Sequence, residues 1–167
     1  MNIYRFARFL PPDLRNQLRE TPVGSAFSRL QKAISNPVTV EIETPAGMIR
    51  MEVPEHWIRL ADIQASNTYE PVLFQTPSDL LGPDEVFYNV GARWGMFSIY
   101  AKAEGLPESK IHSFEADPTN YRYLKNNHAN DKVNTIQTFV GQTTSDKHTK
   151  LDTYVRENDM PTILKID

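Results

Sequence analysis

A chain of 167 residues with 40% hydrophobic and 23% charged side chains is long enough for one soluble domain with a real core. Its net charge of −3, with acids and bases interspersed, argues against nucleic acid or an anionic membrane as the main partner. There are no cysteines, which excludes a disulfide framework, a thiol nucleophile and thiolate metal sites. No apolar stretch near the N-terminus is long enough for a signal peptide or a membrane span, so a cytoplasmic location is the default expectation.

Residues 1–36 read as helical. Asp13 can cap a short helix through Leu18, and Thr21-Pro22 pairs an N-cap with proline at the first helical position. Phe27, Leu30 and Ile34 then form an apolar stripe that Asn36-Pro37 stops. Residues 38–53 predict a hairpin. Val38, Val40 and Ile42 alternate with polar residues, as do Ile49, Met51 and Val53 after a turn at Pro45-Ala46-Gly47. Two strands alone are marginal, so the hairpin must lie on something. Beyond it, His56-Trp57-Ile58 and Leu60 fit either a helical turn or an edge strand. A helix is expected from about Pro71 to Leu81, ended by Gly82-Pro83.

The stretch from Asp84 to Asp117 organises the chain. Glu85 to Val90 is a short apolar run suited to a central parallel strand. Gly91 and Gly95 bracket a turn in which the backbone can bend tightly and a ligand can approach. Trp94 to Lys102 carries apolar residues at helical spacing, closed by Gly105. Ile111 to Phe114 is the next strand, and Glu115 stands at its carboxyl end, where an acid can bridge two ribose hydroxyls. The turn reads Gly-x-x-x-Gly, which lacks the third glycine of a dinucleotide clamp, and no P-loop run occurs. A cofactor with one nucleoside and no phosphates fits this turn. S-adenosylmethionine is such a cofactor.

Asp117 then caps a helix from Pro118, with Tyr121, Leu124 and His128 on one face and Asn130 at its end. Val133 to Val140 reads as a third strand, Gly141 to Lys150 as a polar loop, Leu151 to Glu157 as a short helix, and Thr162 to Ile166 as a fourth strand. Alternating strands and helices predict a parallel sheet with right-handed crossovers. The four histidines, His56, His112, His128 and His148, fall at no ligand spacing, so no metal site is expected.

Four segments in order, NVGARWGMFSIYA (Asn89 to Ala101), HSFEADPTNYRYLKNNHAND (His112 to Asp131), LDTYV (Leu151 to Val155) and ILKID (Ile163 to Asp167), resemble the FkbM-type methyltransferases over roughly Glu70 to Asp167. That family carries Asp-x-Gly-Ala-Asn-x-Gly, Phe-Glu-Pro-x-Pro and Leu-Lys-Ile-Asp-Val-Glu-Gly. Here Asn89 stands where the family has Asp, Arg93 where it has Asn, and Ala116 where it has Pro. The chain stops at Asp167, within the last motif.

The resemblance implies an α/β fold: the first half of a Rossmann-like class I methyltransferase sheet, with strands in the order 3-2-1-4. It also implies a division into an N-terminal helical and hairpin accessory region, residues 1–69, and an S-adenosylmethionine-binding domain, residues 70–167. Asn89, Gly91, Gly95 and Glu115 are then candidate cofactor contacts. Asn89 would use its amide oxygen on the methionine ammonium. Gln142, in the loop where many methyltransferases hold adenine, is another candidate, with a plain surface loop as the alternative. Glu70 is either near the cofactor or a solvated acid at a helix start. Asp167 is the candidate catalytic acid, facing the methyl group and the acceptor hydroxyl, and it shares a strand face with Lys165, with which it can pair.

The implied reaction is O-methylation of a small-molecule acceptor, such as a sugar or other metabolite. The fourth strand, apolar and ending the chain, is expected to be an exposed edge, so the chain reads as an N-terminal fragment. Self-association, or pairing with a complementing C-terminal half, follows from that edge. The competing expectation is a non-catalytic remnant or interaction module that retains a nucleotide-binding half-fold.

Overall fold

The computed structural model describes residues 21–22, 35–57 and 80–167, and the chain divides into two compact units, Met1–Asn36 and Pro37–Asp167. In the first, Pro22 is helical and follows a non-helical Thr21, as a capped start requires. The helix capped by Asp13, the stripe of Phe27, Leu30 and Ile34, the residues Ile58, Leu60 and Glu70, and most of the stretch from Pro71 to Leu81 lie outside the described residues. At the described end of that stretch, Leu80 sits in a 3-10 turn and Leu81 in a bend.

The second unit opens with the expected hairpin. Strands β1 (Pro37–Thr44) and β2 (Gly47–Pro54) pair antiparallel around Pro45-Ala46, with Thr44 opposite Gly47. Gly47 takes a φ of +103°, which a side chain would resist, and Thr44 Oγ1 donates to its carbonyl at 2.7 Å. The alternation holds: Ile42, Ile49, Met51 and Val53 are buried, while Glu41, Glu43 and Arg50 are exposed. What this face lies on is the helical side of the sheet described below. The chain leaves β2 through a 3-10 turn, Glu55–Trp57, so the ambiguous segment begins as a helical turn.

The main sheet has four parallel strands. In chain order these are β3 (Phe87–Val90), β4 (Ile111–Glu115), β5 (Asn134–Gln137) and β8 (Ile163–Ile166), arranged in space as β5-β4-β3-β8. Counted among the sheet strands, this is the order 3-2-1-4. Every residue of β3 and β4 is buried, the state of a strand covered on both faces. Helix α1 (Met96–Ala103) links β3 to β4, and α2 (Pro118–Asn127) links β4 to β5. Asp117 caps α2 as expected, its Oδ1 accepting from Thr119 N at 2.9 Å and Asn120 N at 3.0 Å. The first helix starts later than its apolar pattern, because Trp94 and Gly95 belong to the preceding turn, closed by Gly95 N to Ala92 O at 2.8 Å.

One core cluster joins the hairpin to this side of the sheet, through Ile42, Ile49, Met51, Trp94, Phe97 and Tyr123 among others. Asn127 pins it. Its Oδ1 accepts from Glu52 N at 2.6 Å, and its Nδ2 lies 2.9 Å from Glu52 O and 2.8 Å from Trp94 O. The hairpin, expected in an accessory region ending at residue 69, thus packs within the same compact unit as the sheet.

The third strand departs from expectation. The read strand Val133 to Val140 breaks at Thr138, whose N–H goes to Glu115 O at 3.1 Å. Beyond Glu115 the neighbouring chain turns into α2, so no extended backbone remains for Phe139 to pair with. Phe139–Val140 (β6) instead pairs parallel with His148–Thr149 (β7), which lies inside the stretch read as a polar loop. Helix α3 (Leu151–Tyr154) follows.

The second face holds Val86, Tyr88, Val90 and Phe114, with Tyr154 and Leu151 packed on them. His112 sits in this aromatic cluster, 4.8 Å from the Tyr88 ring, with Nδ1 2.9 Å from Tyr154 Oη. Burial pushes the Tyr88 phenol up to about 12 and lowers His112 below its ordinary 6.5, Asp159 opposing and Lys110 assisting. Below pH 6.5 the unfolded chain therefore binds a proton on this histidine before the folded chain does, and stability falls as pH falls. Chemical denaturation should show that loss between pH 6.5 and the carboxylate range, and His112→Gln should flatten it.

Candidate functional site

The chain crosses from one face of the sheet to the other between β3 and β8: α1 packs on one side and α3 on the other. In such sheets the crevice outside the carboxyl ends, at the point where the winding reverses, is where ligands bind. Gly91 and Asp167 occupy that point here. Gly91 takes a φ of +75°, and a Cβ there would lie 3.0 Å from Asp167 Cβ. Asp167 N donates to Val90 O at 3.1 Å, extending the β8 ladder to the turn. The glycine is needed for this close approach of the two strand ends.

Beside it, Glu115 ties two loops together. The β3–α1 turn folds over the end of β4, with Gly91 N and Ala92 N both 2.9 Å from Phe114 O. The Glu115 carboxylate then accepts from Arg93 N at 2.8 Å through Oε2 and from Asp117 N at 2.8 Å through Oε1. It is buried, at 8% exposure. An ionised carboxylate has about four acceptor sites. Each oxygen therefore keeps capacity for one further donor, which is what a pair of ribose hydroxyls needs.

Arg93, in the same turn, divides its contacts between backbone and side chain. Its backbone amide, and not its guanidinium, meets Glu115. The guanidinium carbon lies 4.5 Å from the Trp57 ring centroid and 5.1 Å from that of Trp94, a double cation–π contact worth about 0.5–2 kcal/mol per ring. Trp57 comes from the turn after the hairpin, a partner that no spacing in the sequence reveals.

Below the turn runs a buried polar row. Ser113, Asn89 and Lys165 stand side by side on β4, β3 and β8, each less than 9% exposed. Asn89 Nδ2 donates to Ser98 Oγ on α1 at 2.9 Å, and Ser98 Oγ lies 2.6 Å from Ser113 Oγ. The fully buried Asn89 Oδ1 has no hydrogen-bond partner among the described residues. An unpaired buried acceptor costs about 1–3 kcal/mol, so an ammonium or other donor reaching it is favoured. Lys165 lies 4.9 Å from the Phe97 ring and pairs with Asp167 at 2.7 Å, the pairing their shared face suggested. Asp167 is about half exposed.

The remaining candidates sit apart from this group. Gly95 (φ +91°) is committed to α2, since a Cβ there would fall 2.8 Å from both His128 Nε2 and Leu124 Cδ1. Gln142 is exposed on the loop after β6 and makes no hydrogen bond among the described residues. An apolar groove of about 80 Å³, lined by Phe87, Phe97, Tyr100, Ile163 and Lys165 among others, lies along the flank of α1 and β8 rather than at the strand ends.

Among the described residues no cluster of three or more His, Asp or Glu can hold a metal ion, and no helix is long and apolar enough to cross a membrane. In comparisons with known proteins no family model matches the chain, and no curated protein and no solved structure matches it.

Proposed function

We propose that this chain carries an S-adenosylmethionine site of the Rossmann-like class I methyltransferase type, resembling the FkbM group, for O-methylation of a hydroxyl on a sugar or similar metabolite. The observation that carries the reading is the Glu115 clamp: a buried carboxylate at the end of β4, joined to the glycine turn, with acceptor capacity to spare. In this reading Glu115 takes the ribose hydroxyls, the unpaired Asn89 Oδ1 accepts from the ligand's ammonium, and the turn at Gly91 lets the backbone approach it.

When bound, the cofactor supplies a methyl group on a sulfonium, an electrophile with a good leaving group already attached. The protein's work is then mainly positioning. In this reading Asp167, paired with Lys165 at 2.7 Å, orients an acceptor hydroxyl by accepting its hydrogen bond.

A second reading, a non-catalytic interaction module, is favoured by the apolar side chains around β8: Met160, Leu164 and Ile166 are 72%, 46% and 63% exposed. Titration calorimetry with S-adenosylhomocysteine, ATP and NAD separates the two. The methyltransferase reading expects saturable, stoichiometric heat from S-adenosylhomocysteine alone. Heat from ATP or NAD instead contradicts it, and heat from none of the three favours the interaction module.

A further inference from the structure

Arg93 is the one non-glycine residue with positive φ among the described residues, at +56°. A left-handed backbone is costly for a residue with a side chain, and such strain persists only where the surroundings enforce it. Here the enforcement is visible: Glu115 holds the amide at 2.8 Å, and the guanidinium lies against the Trp57 and Trp94 rings. Ring contacts give the guanidinium an electrostatic partner but no conventional acceptor for its five N–H donors. No acceptor for those donors occurs among the described residues. Glu115 meets the Arg93 backbone amide and makes no ion pair with its guanidinium among the described residues. The result is a cationic fork held beside two rings, without a hydrogen-bond acceptor among the described residues, within the turn that lines the strand ends.

We propose that Arg93 is the carboxylate-binding residue of the ligand site, its fork taking the α-carboxylate of the amino-acid portion of the S-adenosyl cofactor. This rests on the cofactor reading above and adds the residue that distinguishes the whole cofactor from its adenosine part. A bidentate guanidinium–carboxylate contact adds both strength and geometry, and one that is pre-positioned gives up little side-chain freedom on binding.

The test compares S-adenosylhomocysteine with its decarboxylated analogue, which keeps the adenosine, the thioether and the amine. Wild-type protein should bind the decarboxylated analogue roughly ten- to hundredfold more weakly. In Arg93→Gln that ratio should collapse to within about threefold, with affinity for the analogue itself unchanged. Arg93→Lys, which keeps the charge without the fork, should fall between the two. Equal affinity of the wild-type protein for both ligands would overturn the proposal while leaving the cofactor reading intact, and this arm needs no variant to fold. An equal loss for both ligands in Arg93→Gln would also overturn it, assigning the side chain to packing against Trp57. Failure of both ligands to bind the wild-type protein would remove the cofactor reading and this proposal together.

Discussion

Gly95→Ala should destabilise the folded chain by about 2–5 kcal/mol, from two sources that can be measured apart. The first is backbone strain: φ is +91°, and a left-handed conformation costs a residue with a Cβ about 1–2 kcal/mol. The second is overpacking, typically about 1–3 kcal/mol, because the new methyl falls 2.8 Å from Leu124 Cδ1 and His128 Nε2. His128 cannot easily give way, since its Nδ1 is held by Asp131 at 2.9 Å and Asp131 is held by Lys102 at 2.9 Å. Gly105→Ala supplies the control. That residue is also left-handed, at +99°, but a Cβ there would meet nothing within 4 Å, so only the strain should register. Urea unfolding of the two variants should therefore differ by the overpacking share. Equal losses would mean that α2 is not pressed against the turn.

The second large effect is expected at Glu115. Removing the carboxylate in Glu115→Ala leaves Arg93 N and Asp117 N without their acceptor, and each orphaned amide costs about 1–3 kcal/mol where it stays buried. Unfolding should show a loss of about 2 kcal/mol or more. Binding of S-adenosylhomocysteine should weaken at least about tenfold, because hydrogen bonds to a charged acceptor are roughly twice as strong as neutral ones. A disturbed turn would also weaken binding, so the ligand must be varied as well. A 2′,3′-dideoxy analogue should bind wild-type protein more weakly than the parent ligand, yet Glu115→Ala should not distinguish them. If the variant still prefers the intact ribose, Glu115 is a loop clamp and the diol is read elsewhere.

Much of the sheet was legible because short apolar runs, turn residues and caps agree locally. Val86, Tyr88 and Val90 against Phe87 and Asn89 mark a strand covered on both faces, and Asp117-Pro118 marks a helix start without ambiguity. The hairpin alternation of Ile42, Ile49, Met51 and Val53 was equally plain. Tertiary partners were not legible. Thr138 looks like mid-strand in sequence, and the strand breaks there only because the neighbour β4 ends at Glu115. Gly95 reads as a ligand-approach glycine, but the side chains filling its space come from α2, about thirty residues on. Arg93 has no partner legible from spacing, since Trp57, from the turn after the hairpin, comes to within 4.5 Å of its guanidinium only in the fold. Candidate residues at strand ends can thus be named from spacing, whereas their partners depend on which elements pack together.

The central claim is a site at the carboxyl ends of β3, β4 and β8, and amide hydrogen exchange with and without S-adenosylhomocysteine tests it most directly. The account predicts ligand-dependent slowing at the turn of residues 91–95 and at Glu115 to Asp117, with little change in β1 and β2. Unchanged exchange at the turn, or protection confined to the flank of α1 and β8, would contradict it.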